Sequence, residues 1–209
     1  MIAYIFKLLN IRLQPYQEPL ALSMFISIIL NAYSGPMLCK TAVTELPAQW
    51  LSLETVWCCI CSLLIGMFWK GKFRKAALDN FIVFAVVESV AGICLVAWLV
   101  IYGWNVWVYA TFSLLYVSVV SMTINKCIMV FKTKIWNEKS RELYDNTSSV
   151  VRDLALVIGG TCAMLFCPNL KTSLILWGVA CLADDIGWIM TWLKLKDILE
   201  EKIRWNRNL

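Results

Sequence analysis

An all-α polytopic membrane bundle is the fold class that this sequence predicts, and three observations predict it. Apolar residues make up 60% of the 209-residue chain and charged residues only 16%, with a mean hydropathy of +0.70. The apolar residues arrive in runs of about 20, the length a helix needs to cross a bilayer. Lys and Arg fall almost entirely outside those runs, in the opening residues, two intervening segments and the tail. Six transmembrane helices follow, over roughly 17–38, 49–69, 79–101, 105–130, 150–167 and 172–193. They form a single membrane domain over 1–209, because no Pro/Gly/Ser-rich linker separates the runs.

Each element has a local reason. Before the first span, MIAYIFKLLNIRL mixes apolar residues with Lys7, Asn10 and Arg12 and has no small-residue cleavage pattern, so a short amphipathic interfacial helix is expected rather than a signal peptide. Pro19 falls in a first helical turn, where a missing N–H is tolerated, while Pro36 is expected to end or kink the first span. Asp79 and Asn80 are expected to cap the third span, and the DNTSS stretch at 145–149 the fifth. The fifth is short, so its start is open to extension into the polar segment before it. In the tail, Leu195, Ile198, Leu199 and Ile203 fall near one helical face. That tail either continues the sixth span or lies along the inner interface, as a solvated end or as a partner-binding helix.

Charge sets the expected orientation. With the N-terminus inside, the cytoplasmic side receives Lys7, Arg12, Lys70, Lys72, Arg74, Lys75, Lys126, Lys132, Lys134, Lys139, Arg141, Arg152, Lys194, Lys196, Lys202, Arg204 and Arg207. Only Lys40 and Lys171 remain outside, so both N- and C-termini are expected to be cytoplasmic, in a plasma or inner membrane. The same distribution explains the net charge of +5 without nucleic acid. The glycosylation-like Asn146-Thr147-Ser148 then lies on the wrong face for modification.

Composition also removes much enzyme chemistry. The chain has no His, which excludes imidazole-ligated haem, His-containing metal sites and the usual Ser-His or Cys-His nucleophiles. Its nine Cys form no CxxC pattern; Cys58, Cys59 and Cys61 read as small packing residues, and a Cys39 to Cys167 disulfide stays open. Neither a Walker A sequence nor a Rossmann fingerprint is present. No cofactor or metal is expected, since Asp184 and Asp185 alone do not assemble an octahedral Mg²⁺ site.

Acids at membrane depth are the sharpest functional candidates. An ionised side chain at mid-bilayer costs roughly 2.5 to 3.5 kcal/mol even on lenient scales. Glu88 lies inside the third span and Asp184 and Asp185 near the middle of the sixth, whereas Glu18, Glu54, Asp79 and Asp153 lie nearer span ends. Trp177, Cys181, Asp184, Trp188 and Trp192 share a helical stripe, an acid flanked by aromatics that suits a cationic or aromatic solute. Asp185 is rotated about 100° from it. The fourth span carries Tyr109, Ser113, Tyr116, Ser121 and Asn125 in broadly helical register, fit to line a wet cavity or to cross-link helices. In the fifth, Gly159, Gly160 and Ala163 permit close helix approach, and Arg152 and Asp153, adjacent in sequence, are expected to find partners on other helices. The acids are either protonated and hydrogen-bonded between helices, or titrating groups that meet solute in an aqueous cavity.

Between spans two and three, IGMFWKGKFRKAALDN places Gly66 before a short cationic turn containing Arg74-Lys75. This resembles the loop motif of the major facilitator transporters: glycine, three residues, aspartate, arginine, any residue, glycine, arginine, basic residue. Lys70 replaces the aspartate, Gly71 the first arginine and Phe73 the second glycine, so the acidic member of that family's ion-pair network is absent. Six spans, inside termini and a long basic segment between spans four and five also resemble one half of such a transporter. The resemblance implies alternating access between two six-helix bundles, supplied here by self-association of the chain.

The sequence therefore predicts a non-enzymatic membrane carrier for a small, cationic or aromatic solute, facilitated or proton-coupled, acting as a homodimer in the lipid bilayer. Glu88, Asp184, Asp185, Trp177, Trp188, Tyr116 and Asn125 are its pathway candidates; Arg152, Asp153, Gly159, Gly160, Gly66 and Arg74 are its gating or helix-contact candidates. The alternative is a non-enzymatic immunity factor, receptor accessory or assembly subunit that binds another membrane protein through the polar 132–149 segment and the tail. A lipid-processing enzyme ranks third.

Overall fold

A computed structural model describes residues 13–112, 114, 120, 122–130 and 137–207, with side chains for all of these except 48, 51, 54, 71 and 197–207. The described regular structure is helical: α1 Glu18–Glu45, α2 Ala48–Phe68, α3 Gly71–Asp79, α4 Phe81–Tyr102, α5 Val106–Phe112, α6 Met122–Val130, α7 Glu138–Leu165 and α8 Leu170–Arg207. The expected interfacial helix before residue 13 lies outside the described residues.

The bundle is built on α1, which packs along most of its length against α7 and α8; α8 in turn packs on α4. Small residues make this possible. The buried face of α1 carries Ala21, Ser23, Ser27 and Ser34 between Leu20 and Leu38, and Ser23 and Ser34 return their hydroxyls to the Leu20 and Leu30 carbonyls (3.0 and 2.7 Å). Glycines face it from both neighbours. A Cβ on Gly159 would stand 2.5 Å from the Ile29 carbonyl oxygen and 2.7 Å from the Ala32 Cβ, and one on Gly187 would overlap the Ser23 side chain. In an apolar solvent hydrophobic burial does not drive helix association, so such close backbone approach carries it instead. Gly160, by contrast, has open space around it.

These contacts fix the helix directions. Gln17 donates to the Ser140 carbonyl (2.8 Å), and Tyr144 points its hydroxyl at Met24 Sδ (3.9 Å), so α7 runs parallel to α1. Lys194 reaches the Pro15 carbonyl (3.2 Å), while Leu38 clusters with Leu174, so α8 runs antiparallel. Gln17 is fully buried, and its Oε1 also accepts from the Gln14 N–H (3.1 Å), so neither end of the amide is orphaned.

The bundle thus has two ends. One gathers Leu20, Ala77, Phe81, Ile124, Cys127, Tyr144, Trp188 and Leu195 into a core cluster. The other gathers Leu38, Leu95, Leu99 and Leu174, with Leu46, Val106 and Ala110 beside them. There Trp104 Nε1 donates to Glu45 (2.7 Å), and Gly103, with φ of +93°, makes the tight turn out of α4. Lys70, Lys72, Arg74, Lys75, Lys126, Lys139, Arg141, Lys194 and Lys196 lie at or near the first end; Lys40 and Lys171 lie near the second. Between the ends the surface is apolar: Leu63 and Met67 on α2, Val83 and Val90 on α4, and Val157 and Met164 on α7 are all more than half exposed. A water-facing protein does not carry apolar patches of this extent. The chain is a membrane-embedded all-α protein.

The described residues show fewer spans than the six the sequence predicts, and several helix ends differ. Among the described residues, Glu18–Glu45, Phe81–Tyr102, Glu138–Leu165 and Leu170–Lys196 are long and apolar enough to cross a membrane. A fifth span arises if Thr55–Phe68 and Lys72–Asp79 count together, although they are bent by 108°. The cationic turn of the sequence reading is therefore a helix, α3, lying across the end of α2. The expected fourth span appears as α5 and α6, with 113, 115–119 and 121 outside the described residues. Pro36 does not end α1, which continues to Glu45, held on two sides by α7 and α8. Asn80 does not cap α4, because its side chain donates back to the Ala76 carbonyl (2.8 Å). The DNTSS stretch lies inside α7, whose cap is Asn137, accepting from the Ser140 N–H (2.7 Å). The tail continues α8 as far as Arg207.

Gly159→Ala is expected to lower the melting temperature of the purified protein, at the roughly 1 to 3 kcal/mol typical of overpacking. Gly160→Ala, in open space inside the same helix, is expected not to lower it. Thermal unfolding of both variants in one detergent checks this pair.

Candidate functional site

α4 and α8 run antiparallel in a register visible at three levels. Val96 packs on Gly178, Ser89 faces Asp185, and Phe81 meets Trp192 edge-on with ring centroids 5.9 Å apart. A Cβ on Gly178 would stand 3.0 Å from Val96 Cγ2, so the glycine allows the helices to approach at that level. The register puts the acids of both helices at one depth, near the middle of the Leu170–Lys196 stretch.

Asp185 is 7% exposed, and its Oδ2 accepts a 2.6 Å hydrogen bond from Ser89 Oγ. The same hydroxyl lies 3.1 Å from the Ala85 carbonyl. Asp184 is half-buried, within electrostatic range of the buried Tyr144 phenol of α7. Glu88, one residue before Ser89, is also half-buried. Cys181, one turn before the aspartates, lies within electrostatic range of Asp185, Glu88 and Asp184. Three carboxyl groups from two helices therefore lie at one level.

Three acids at mid-bilayer cost roughly 2.5 to 3.5 kcal/mol each when ionised. A membrane side-chain hydrogen bond returns about 0.6 kcal/mol on average and about 1.7 at most. The Ser89 hydrogen bond by itself is smaller than the cost of ionising one of them.

The other sequence candidates are dispersed. Trp177 packs edge-on against Tyr109 of α5 (6.1 Å), which stacks obliquely on Trp104 (5.2 Å), placing it at the far end of the bundle. Trp188 is 9% exposed and belongs to the cluster with Leu20, Phe81 and Tyr144. Both ring systems are engaged in protein packing. Asn125 is exposed on α6, and Tyr116, Ser113 and Ser121 lie outside the described residues. Gly66 is exposed with open space around it, and Arg74 is half-exposed on α3.

Arg152 and Asp153 correct the sequence reading, since they pair with each other rather than with other helices. Arg152 Nε lies 3.2 Å from Asp153 Oδ1, with side chains 57% and 64% exposed. The long arginine folds back along its own helix, where its guanidinium also reaches Ser149 Oγ (3.4 Å). Such an exposed pair contributes little to stability.

Ser89, Tyr144, Gly178 and Gly187 escaped the sequence reading. Ser89 was findable beside Glu88 in an apolar run; the others acquire meaning only from the helix they touch.

The Ser89 to Asp185 bond predicts a measurable coupling. In a double-mutant cycle with Ser89→Ala and Asp185→Ala, an interaction energy of about 0.6 to 1.7 kcal/mol is expected in thermal or denaturant unfolding. Additive effects would show that the contact contributes nothing. Comparisons with protein-family models, curated proteins and solved structures find no match for the chain.

Proposed function

We propose that this protein is a carrier for a small cationic or aromatic solute, with Glu88, Asp184 and Asp185 forming the polar centre of its pathway. The supporting observation is that these acids lie at one depth on α4 and α8, with Asp185 buried against Ser89 of α4; acids at such depth mark pathways more often than packing. Carboxyl groups in such a place attract cations, and movement of α4 against α8 exposes them to either side. Proton exchange at the same groups couples solute flux to a proton gradient. The reading takes six spans with both termini in the cytoplasm and two copies per functional unit, each supplying one bundle of a facilitator-type pair.

The acids separate this reading from a structural one. Asp184→Asn and Glu88→Gln are expected to melt no lower than the parent protein, because a costly group becomes neutral, yet to lose at least about tenfold in solute or proton flux in liposomes. Unchanged flux together with lowered stability would assign the acids to packing and favour a membrane accessory subunit. A stoichiometric partner co-purifying with a chain that moves nothing would do the same.

Topology has its own check. Cys167, exposed in the turn between α7 and α8, is expected to react with a membrane-impermeant maleimide added outside intact cells. A Cys introduced at Lys72 in α3 is expected to react only after lysis. The reverse pattern would invert the bundle.

A further inference from the structure

A cavity of about 370 Å³ lies between α1 and α8, and Glu88, Asp184 and Asp185 are not among its lining residues. Its walls are two antiparallel stripes, Leu22 and Ile26 on α1 facing Ala183, Ile186 and Met190 on α8, with Glu18 and Lys194 at one end. We propose that this groove is a phospholipid site, holding one acyl chain of a zwitterionic lipid whose phosphate meets Lys194 and whose ammonium meets Glu18.

Three features carry the assignment. The first is length. Ala183 to Lys194 spans eleven residues, about 16 Å of helix, and one leaflet of a bilayer contributes about 15 Å of hydrocarbon. The second is volume, since the groove holds about a dozen water volumes yet is walled by aliphatic side chains, so hydrocarbon fills it better than water. The third is charge. Glu18 begins α1, and Lys194 stands two residues before the end of the apolar stretch Leu170–Lys196, so both sit at headgroup level. Lys194 donates one N–H to the Pro15 carbonyl (3.2 Å), which leaves two donors for phosphate oxygens. An anionic lipid satisfies Lys194 alone, and a lipid with phosphate and ammonium satisfies both residues. The groove exists because Gly187 and Ser23 bring the helices into contact at its floor.

Native mass spectrometry of the full-length protein tests this, with phosphatidylethanolamine and phosphatidylglycerol of identical acyl chains added to delipidated samples. One phosphatidylethanolamine per chain is expected, retained about tenfold better than phosphatidylglycerol, the scale of one charge-assisted hydrogen bond. Glu18→Gln, at an exposed position, is expected to erase that preference while leaving binding, and Lys194→Gln to weaken both lipids. Ala183→Trp and Ile186→Trp are expected to abolish retention by filling the groove. Equal retention of the two lipids by the parent chain would overturn the proposal, as would undiminished binding in a Trp variant with a parental melting temperature. Neither outcome bears on solute flux, so the site stands or falls apart from the carrier reading.

Discussion

Close backbone contact along α1 is the constraint on which the rest of this bundle depends. Gly159 against Ile29 and Ala32, and Gly187 against Ser23, bring α7 and α8 to one central helix without side chains between them. Lipid offers apolar helices no hydrophobic reason to associate, so dispersion across such short gaps becomes the main adhesive. Because these contacts are backbone to small side chain, they fix axial position as well as distance.

Axial position is what creates the polar centre. With α8 held on α1, α4 packs on the opposite flank of α8, and the pairs Val96 with Gly178 and Phe81 with Trp192 pin its register. Ser89 then falls opposite Asp185, and Glu88 falls near Cys181 and the aspartates. A slip of one residue along α4 would rotate Ser89 by about 100° away from its partner. Glycine packing and the level of the acids are thus one piece of geometry.

The two faces of α8 do different work. Asp185 and Trp188 turn into the protein, toward α4 and the cluster around Phe81 and Tyr144. Ala183, Ile186 and Met190 line the groove shared with α1. Adjacent residues of one helix thus separate a polar centre from an apolar cleft, as the helical repeat requires. The basic residues at one end serve both, by holding the bundle at a definite depth and by supplying Lys194 at the headgroup boundary.

Much of this was legible in the chain. All-α class, membrane solvent, the depth of Glu88, Asp184 and Asp185 and the segregation of Lys and Arg are one-dimensional properties, because hydropathy and charge act on each segment regardless of its neighbours. Helix ends were less legible: Asn137 rather than DNTSS caps α7, and α1 runs on past Pro36 to Glu45, since packing on both sides overrides a local breaker. Pairing was not legible at all. Which glycine is crowded, which tryptophan is packing and which serine meets an aspartate depend on the rotation and register of two helices about each other, and no single helix encodes those. Gly159 and Gly160 are neighbours of identical type, yet only the first touches α1; the phase of α7 against its partner decided that, and phase is a tertiary quantity.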